Sequence, residues 1–169
     1  MNKTLIFIIL VISLISCHKN KIDENTFWNY SGNGDGNIDS TKNAIINYTI
    51  NSNLNISGDV FLEENTIINN DLNLNRSGKV IVFTSRNTDT VYVDGNSNID
   101  DSLFIERGIL KINHDLNINS KGFVNCSKSA KVIVIGSLNQ SGTLWGLNNF
   151  EIHKNTKLNN KNSTHALPF

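Results

Sequence analysis

Residues 68–78 read INNDLNLNRSG. Leucine and asparagine alternate, although asparagine is ordinarily disfavoured in strands. A period of two places Leu72 and Leu74 on one face of a strand and Asn73 and Asn75 on the other. The pattern then recurs. Residues 49–58 read TINSNLNISG, residues 67–78 IINNDLNLNRSG, residues 111–122 KINHDLNINSKG and residues 134–142 VIGSLNQSG. Each copy has an aliphatic residue, a polar turn, Leu-Asn and a closing glycine. The key leucines are Leu54, Leu72, Leu116 and Leu138, with Leu158 in KNTKLNN as a looser fifth. A degenerate copy, YVDGNSNIDDS at residues 92–102, fills the wide gap between Leu72 and Leu116. The period is near 20 residues, with about six copies.

A repeat of that length holds two or three short strands and describes one coil of a solenoid. KVIVF (residues 79–83), TVYV (90–93) and KVIVI (131–135) are the clearest strands, and no helical period is sustained beyond the N-terminus. The expected fold is all-β: a single-domain parallel β-solenoid, or β-helix, of about six coils. A β-sandwich or meander would share the strands and turns, but the copies here repeat residue identity as well as polarity. Asn70 and Asp71 are expected at corners, tolerating left-handed backbone and bonding to neighbouring amides. Outward asparagines on successive coils are placed to stack as a hydrogen-bonded ladder, yet a single one such as Asn73 is expected to be dispensable. Gly58, Gly78, Gly122 and Gly142 are expected to end each unit with positive φ or a sharp turn. The open ends need caps. Phe27, Trp28 and Tyr30 are candidates at one end, and Trp145, Phe150 and the HALPF ending at the other. The same aromatic residues would alternatively bind sugar rings.

The chain opens MNKTLIFIILVISLISC. A cationic head at Lys3 precedes an apolar run from Leu5 to Ile15. That run is too short for a membrane span of about 20 residues and suits the helix of a secretory signal. The order Leu14-Ile15-Ser16-Cys17 resembles the bacterial lipobox. That resemblance implies cleavage between Ser16 and Cys17 and a diacylglyceryl group on the Cys17 thiol, anchoring the chain to a membrane. The organisation expected is a signal peptide at 1–16, a lipid-anchored tether and N-terminal cap at 17–44, the β-solenoid at 45–160 and a tail or cap at 161–169. His18, rather than aspartate, follows Cys17. By resemblance to enterobacterial sorting rules this implies outer-membrane delivery. Asp23 and Glu24 come late for the flavobacterial surface-export signal, after Lys19 and Lys21, so periplasmic or surface-facing orientation stays open.

Fifteen basic residues balance fifteen acidic ones, so no basic field points to nucleic acid. Charged residues make up 18%, and 30 asparagines supply the missing polarity. Pro168 is the one proline, which leaves long stretches free to pair as strands. Beyond Cys17 the other cysteine is Cys126, which reads as a small buried filler. SGNGDGN (residues 31–37) lacks the Lys-Ser/Thr of a P-loop and the spacing of a calcium loop. His18, His114, His153 and His165 form no metal-ligand pair, so no metal or cofactor is assigned. Glu63-Glu64, Asp100-Asp101 and His114-Asp115 are adjacent pairs that point to opposite faces of a strand and read as solvated corners, so no catalytic residue is assigned. Asp39-Ser40-Thr41, Asp89-Thr90-Val91 and Asp101-Ser102-Leu103 resemble the O-glycosylation signal of exported Bacteroidetes proteins, which makes Ser40, Thr90 and Ser102 candidate sites. The expected function is that of an envelope lipoprotein whose non-catalytic solenoid is a scaffold or an adhesive, glycan-binding surface, with glycans or envelope proteins as partners. The coil pattern loosely resembles bactofilins, whose solenoids polymerise end to end, so self-assembly is the alternative. A polysaccharide-active enzyme resembling the pectin-active β-helices is a third reading, against which stand the few coils and short loops.

Overall fold

A computed structural model of the chain describes residues 36–41 and 43–158. The signal, Ser16, Cys17, the aromatic residues at 27, 28 and 30, and the HALPF ending lie outside the described residues. Within them the chain is a parallel β-solenoid of about six turns, with three strands per coil and no α-helix. The first face stacks β1 (Asn37–Ile38), β4 (Leu54–Ile56), β7 (Leu72–Leu74), β10 (Ser97–Ile99), β12 (Leu116–Ile118), β15 (Leu138–Gln140) and β18 (Thr156–Leu158). The second stacks β2 (Asn43–Ile46), β5 (Asp59–Leu62), β8 (Lys79–Phe83), the first half of β11 (Ser102–Ile112), β13 (Phe123–Cys126) and β16 (Thr143–Trp145). The third stacks β3 (Thr49–Ile50), β6 (Ile67–Ile68), β9 (Thr90–Val93), the second half of β11, β14 (Ala130–Val134) and β17 (Phe150–Ile152). Among the described residues the stack starts with β1 at Asn37, ahead of position 45.

The degenerate copy at residues 92–102 supplies β10, as its spacing required. Every inward position feeds one core. Leu54, Leu72, Leu116 and Leu138 stack in register, with Ser97 where the degenerate copy lacks a leucine. Ile56, Leu74, Ile99, Ile118 and Gln140 form the parallel column. Leu158 pairs with Gln140, and Thr156 with Leu138, so Leu158 belongs to this second column and not to the leucine column. Leu72, Leu116 and Ile99 are fully excluded from solvent. At about 25 cal/mol per Å² of apolar surface, such columns supply most of the force holding coil to coil.

The asparagine face carries the ladder. Asn55 donates to Asn37, Asn73 to Asn55, Asn98 to Asn73, Asn117 to Asn98 and Asn139 to Asn117, each Nδ2 to Oδ1 at 2.8–2.9 Å. Asn73 is half-buried and serves as both donor and acceptor, so it is not the free solvent-facing side chain expected. A second ladder runs down the corner before this face. Asn53 Oδ1 accepts from the Asp71 amide, Asp71 Oδ1 from Asn96, Asn96 Oδ1 from Asp115 and Asp115 Oδ1 from Ser137, at 2.7–3.1 Å. Asp71 thus bonds to a neighbouring amide as expected, but the left-handed backbone lies elsewhere, at Asn65 (φ 72) and Ser77 (φ 70).

The repeat glycines close turns as expected, the Gly78 amide donating to Asn75 O and the Gly122 amide to Asn119 O, but without positive φ. Among the described residues the positive-φ glycines are Gly36, Gly108 and Gly146, and not Gly58, Gly78, Gly122 or Gly142. A Cβ at Gly142 would fall inside the carbonyl oxygens of Gly122 and Asn119, so close approach of backbone between coils excludes a side chain there. Gly108, at φ 101, bends β11 so that one continuous strand crosses from the second face to the third.

Candidate functional site

The third face turns Ile67, Tyr92 and Ile133 outward among Thr49, Lys111 and Glu151, but the second face is the one on which aromatic rings recur along the stack. Its strands alternate inward residues such as Val60, Leu62, Leu103, Ile105 and Val124 with outward ones. The outward positions form two registered columns. One runs Ile45, Phe61, Ile81, Phe104, Asn125, Trp145. The other runs Asn43, Asp59, Lys79, Ser102, Phe123, Thr143. The result is an apolar, ring-bearing stripe beside a mainly polar one. Phe104 and Phe123 sit with ring centroids 5.5 Å apart, tilted at 53°, and Phe123 meets Trp145 edge to face at 5.1 Å. Lys79 Nζ lies 5.4 Å from the Phe104 centroid. At the margin of the face, Arg107 covers the ring of Phe83 at 4.2 Å and its Nε donates to Thr84 O at 2.5 Å. Trp145 is 47% exposed and Phe83 39%. Trp145 therefore points out from this face and does not close the end of the stack, which corrects its assignment as a cap. Phe150 does turn inward at the last coil, half-buried against the core.

Glu106 adds a buried note to this margin. It is the extra residue of a β-bulge between Ile105 and Arg107. Burial raises its carboxyl above the ordinary range, with Lys79 pulling the other way. Beside it Cys126 faces the core, and burial foremost, then the Glu106 charge, pushes its thiol up to about 12. That thiol stays protonated at neutral pH and is no nucleophile.

The other candidate residues are dispersed. Glu64 accepts hydrogen bonds from the amide and hydroxyl of Ser85, chiefly for which its carboxyl is lowered, while burial raises that of Glu63. Asp101 accepts from the Ser77 amide and the Ser102 hydroxyl. Glu64 and Asp101 thus clamp one coil to the next, which is more than the solvated corners expected of them. Asp115 does the same, and His114 beside it lines an open, polar groove at the corner with Asn53, Asn70, Asp71 and Asp94. His153 bonds to Glu151, which Lys131 also holds and whose carboxyl these two partners, Lys131 first, lower. Among the described residues no three His, Cys, Asp or Glu side chains gather as a metal site. Of the candidate glycosylation residues, Ser40 lies exposed in a turn, whereas Thr90 and Ser102 begin strands and are half-buried.

The aromatic stripe was not foreseen from the sequence. Its signal was there as unbroken apolar triplets, Val60-Phe61-Leu62, Val80-Ile81-Val82 and Leu103-Phe104-Ile105, in which the outward middle residue is apolar as well. No family model, curated protein or solved structure matches the chain.

Proposed function

We propose that the chain is a non-catalytic envelope lipoprotein, held to a membrane through a lipid on Cys17, whose aromatic face is an adhesive, glycan-binding surface. The observation that carries this reading is the registered column of outward rings, Phe61, Phe104 and Trp145, set beside hydrogen-bonding side chains. Rings of this kind pack against the C–H faces of sugars while flanking polar groups meet the hydroxyls. The commitment of Glu64, Asp101 and Asp115 to bonds between coils supports a non-catalytic role, because each carboxylate is occupied in holding the fold. The anchor rests on the order Leu14-Ile15-Ser16-Cys17. A glycan array probed with the intact domain and with Phe104→Ala tests the surface: bound glycans that the variant loses, at unchanged circular dichroism, support it. Mass spectrometry of the mature N-terminus tests the anchor. A diacylated peptide beginning at Cys17 is expected, and an unmodified start elsewhere refutes it.

Self-assembly is the second reading, and one observation favours it. The inward residues Ile38, Ile46 and Ile50 of the first coil are buried, but Phe150, Ile152 and Leu158 of the last remain half-buried. Sedimentation that grows heavier with concentration, and that Ile152→Asp abolishes, would favour it over the adhesive surface.

A further inference from the structure

The column that carries the rings has its own period. In register order it reads Ile45, Phe61, Ile81, Phe104, Asn125, Trp145, so a ring recurs on every second coil. Parallel strands stack about 4.8 Å apart, which sets Phe61, Phe104 and Trp145 at intervals of about 9.6 Å along the solenoid axis. A ligand that uses all three must present the same apolar face at that interval and a different one between. Extended chains of equatorially linked pyranoses do this. Each sugar advances by close to one coil height, and the two-fold turn between neighbours brings the same C–H face round on every second sugar. Coiled α-linked chains and branched chains do not keep that repeat.

Two more features narrow the ligand. Phe123, in the adjacent column, stands at 53° to Phe104 and 79° to Trp145, so the aromatic face does not offer the flat platform that a crystalline polysaccharide surface needs. A single chain can follow tilted rings. Charges of both signs stand on and beside the face, Lys79 and Arg107 among Asp59, Glu64 and Glu106, so no positive field is offered to a polyanion or an anionic lipid surface. Lys79, Ser102 and Thr143 in the adjacent column are placed to meet hydroxyl or acetamido groups along one edge of the chain.

We infer that this face binds a single, neutral, linear β-1,4-linked polysaccharide chain lying along the solenoid axis, with Phe61, Phe104 and Trp145 each under every second sugar. The inference rests on the glycan reading of the same face. Four coil steps separate Phe61 from Trp145, about 19 Å at the inter-strand spacing, so a chain of about five sugars spans the site.

Isothermal titration with cello-oligosaccharides and chito-oligosaccharides of two to six sugars tests it, the two series deciding which neutral sugar is preferred. Affinity is expected to rise with length and level off near five sugars. Maltohexaose, of the same composition as cellohexaose but coiled, is expected to bind at least tenfold more weakly, as is polygalacturonate. Phe61→Ala, Phe104→Ala and Trp145→Ala are each expected to lose roughly tenfold in affinity, the worth of one ring contact. Phe83→Ala, outside the column, is expected to stay within about twofold. Trp145→Phe keeps a ring and is expected to retain most of the binding, which separates loss of stacking from loss of folding. Equal affinity for cellohexaose and maltohexaose, or no dependence on length, overturns the linear-chain inference and leaves a glycan-binding face standing. Binding to anionic phospholipid vesicles with no affinity for any of these sugars overturns both.

Discussion

Asn98 is the residue on which the asparagine ladder can be weighed. Its Nδ2 donates to Asn73 Oδ1 at 2.8 Å, and its Oδ1 accepts from Asn117 Nδ2 at 2.8 Å. Asn98→Ala removes both bonds. A net intramolecular hydrogen bond contributes about 0.5–1.5 kcal/mol, so the two together set a range of about 1–3 kcal/mol. The orphaned carboxamides of Asn73 and Asn117 are only half-buried and regain water, which places the loss at about 1–2 kcal/mol. Asn98→Asp discriminates further. The carboxylate still accepts from Asn117, but it turns an acceptor towards Asn73 Oδ1, where a donor stood. At neutral pH its loss should exceed that of the alanine variant. As pH falls and the new carboxyl takes up a proton, it donates again and the deficit should shrink. Leu116→Ala, which empties a fully buried position, gives the upper reference at about 2–5 kcal/mol. Urea unfolding followed by circular dichroism, at pH 7 and pH 4, measures all three. If both Asn98 variants unfold within about 0.5 kcal/mol of the parent, the scatter expected of ordinary surface substitutions, the ladder holds nothing together and the reasoning fails.

Ser97 is fully buried in the leucine column and its hydroxyl has no hydrogen-bond partner among the described residues. Ser97→Ala should therefore stabilise the fold, by about 1 kcal/mol in the same assay. Gly142→Ala should cost about 1–3 kcal/mol, because the atoms its methyl meets are backbone carbonyls of the preceding coil, which cannot swing aside. With Cys17→Ser, Cys126 is the one thiol left; it should resist a thiol reagent at pH 8 in the folded chain and react once urea is added. The raised thiol also fixes a sign. Above pH 9 the unfolded chain gives up this proton while the folded chain keeps it to about 12, so its contribution to stability should be lost as pH rises across that window, readable as a falling melting temperature.

The asparagine face was legible because its inward columns are mostly aliphatic and its outward column is asparagine from Asn37 to Asn139. Leu-Asn-aliphatic repeats in identity, so Leu54, Leu72, Leu116 and Leu138 align by eye. The aromatic face was hidden because register depends on loop length. The ladder asparagines stand 18, 18, 25, 19 and 22 residues apart, and the lengths absorb turns such as the one after Phe83. Without those offsets Phe61, Phe104 and Trp145 are three separate aromatics in three unlike strands. Leu158 was misaligned for the same reason, since a shift of two positions keeps a side chain inward and changes only its column. The glycines misled differently. A glycine demanded by φ and one demanded by a neighbouring carbonyl look alike in sequence, and only the distance between coils tells them apart.

The ladder also bears on how the protein ages. A chain with 30 asparagines is exposed to deamidation, in which the backbone nitrogen of the next residue closes onto the side-chain carbonyl carbon and leaves aspartate or isoaspartate. At Asn55, Asn73, Asn98 and Asn117 that ring closure meets two obstacles. The backbone is held extended within a paired strand, and the carboxamide is pinned to the coils above and below. Asn119, exposed ahead of Ser120, and Asn75, exposed ahead of Arg76, lie outside the strands and have no part in either ladder. Chemical decay then begins at such positions and spares the stacked column. Since one aspartate within the column would set acceptor against acceptor, the geometry that holds the coils together also protects the residues that do the holding.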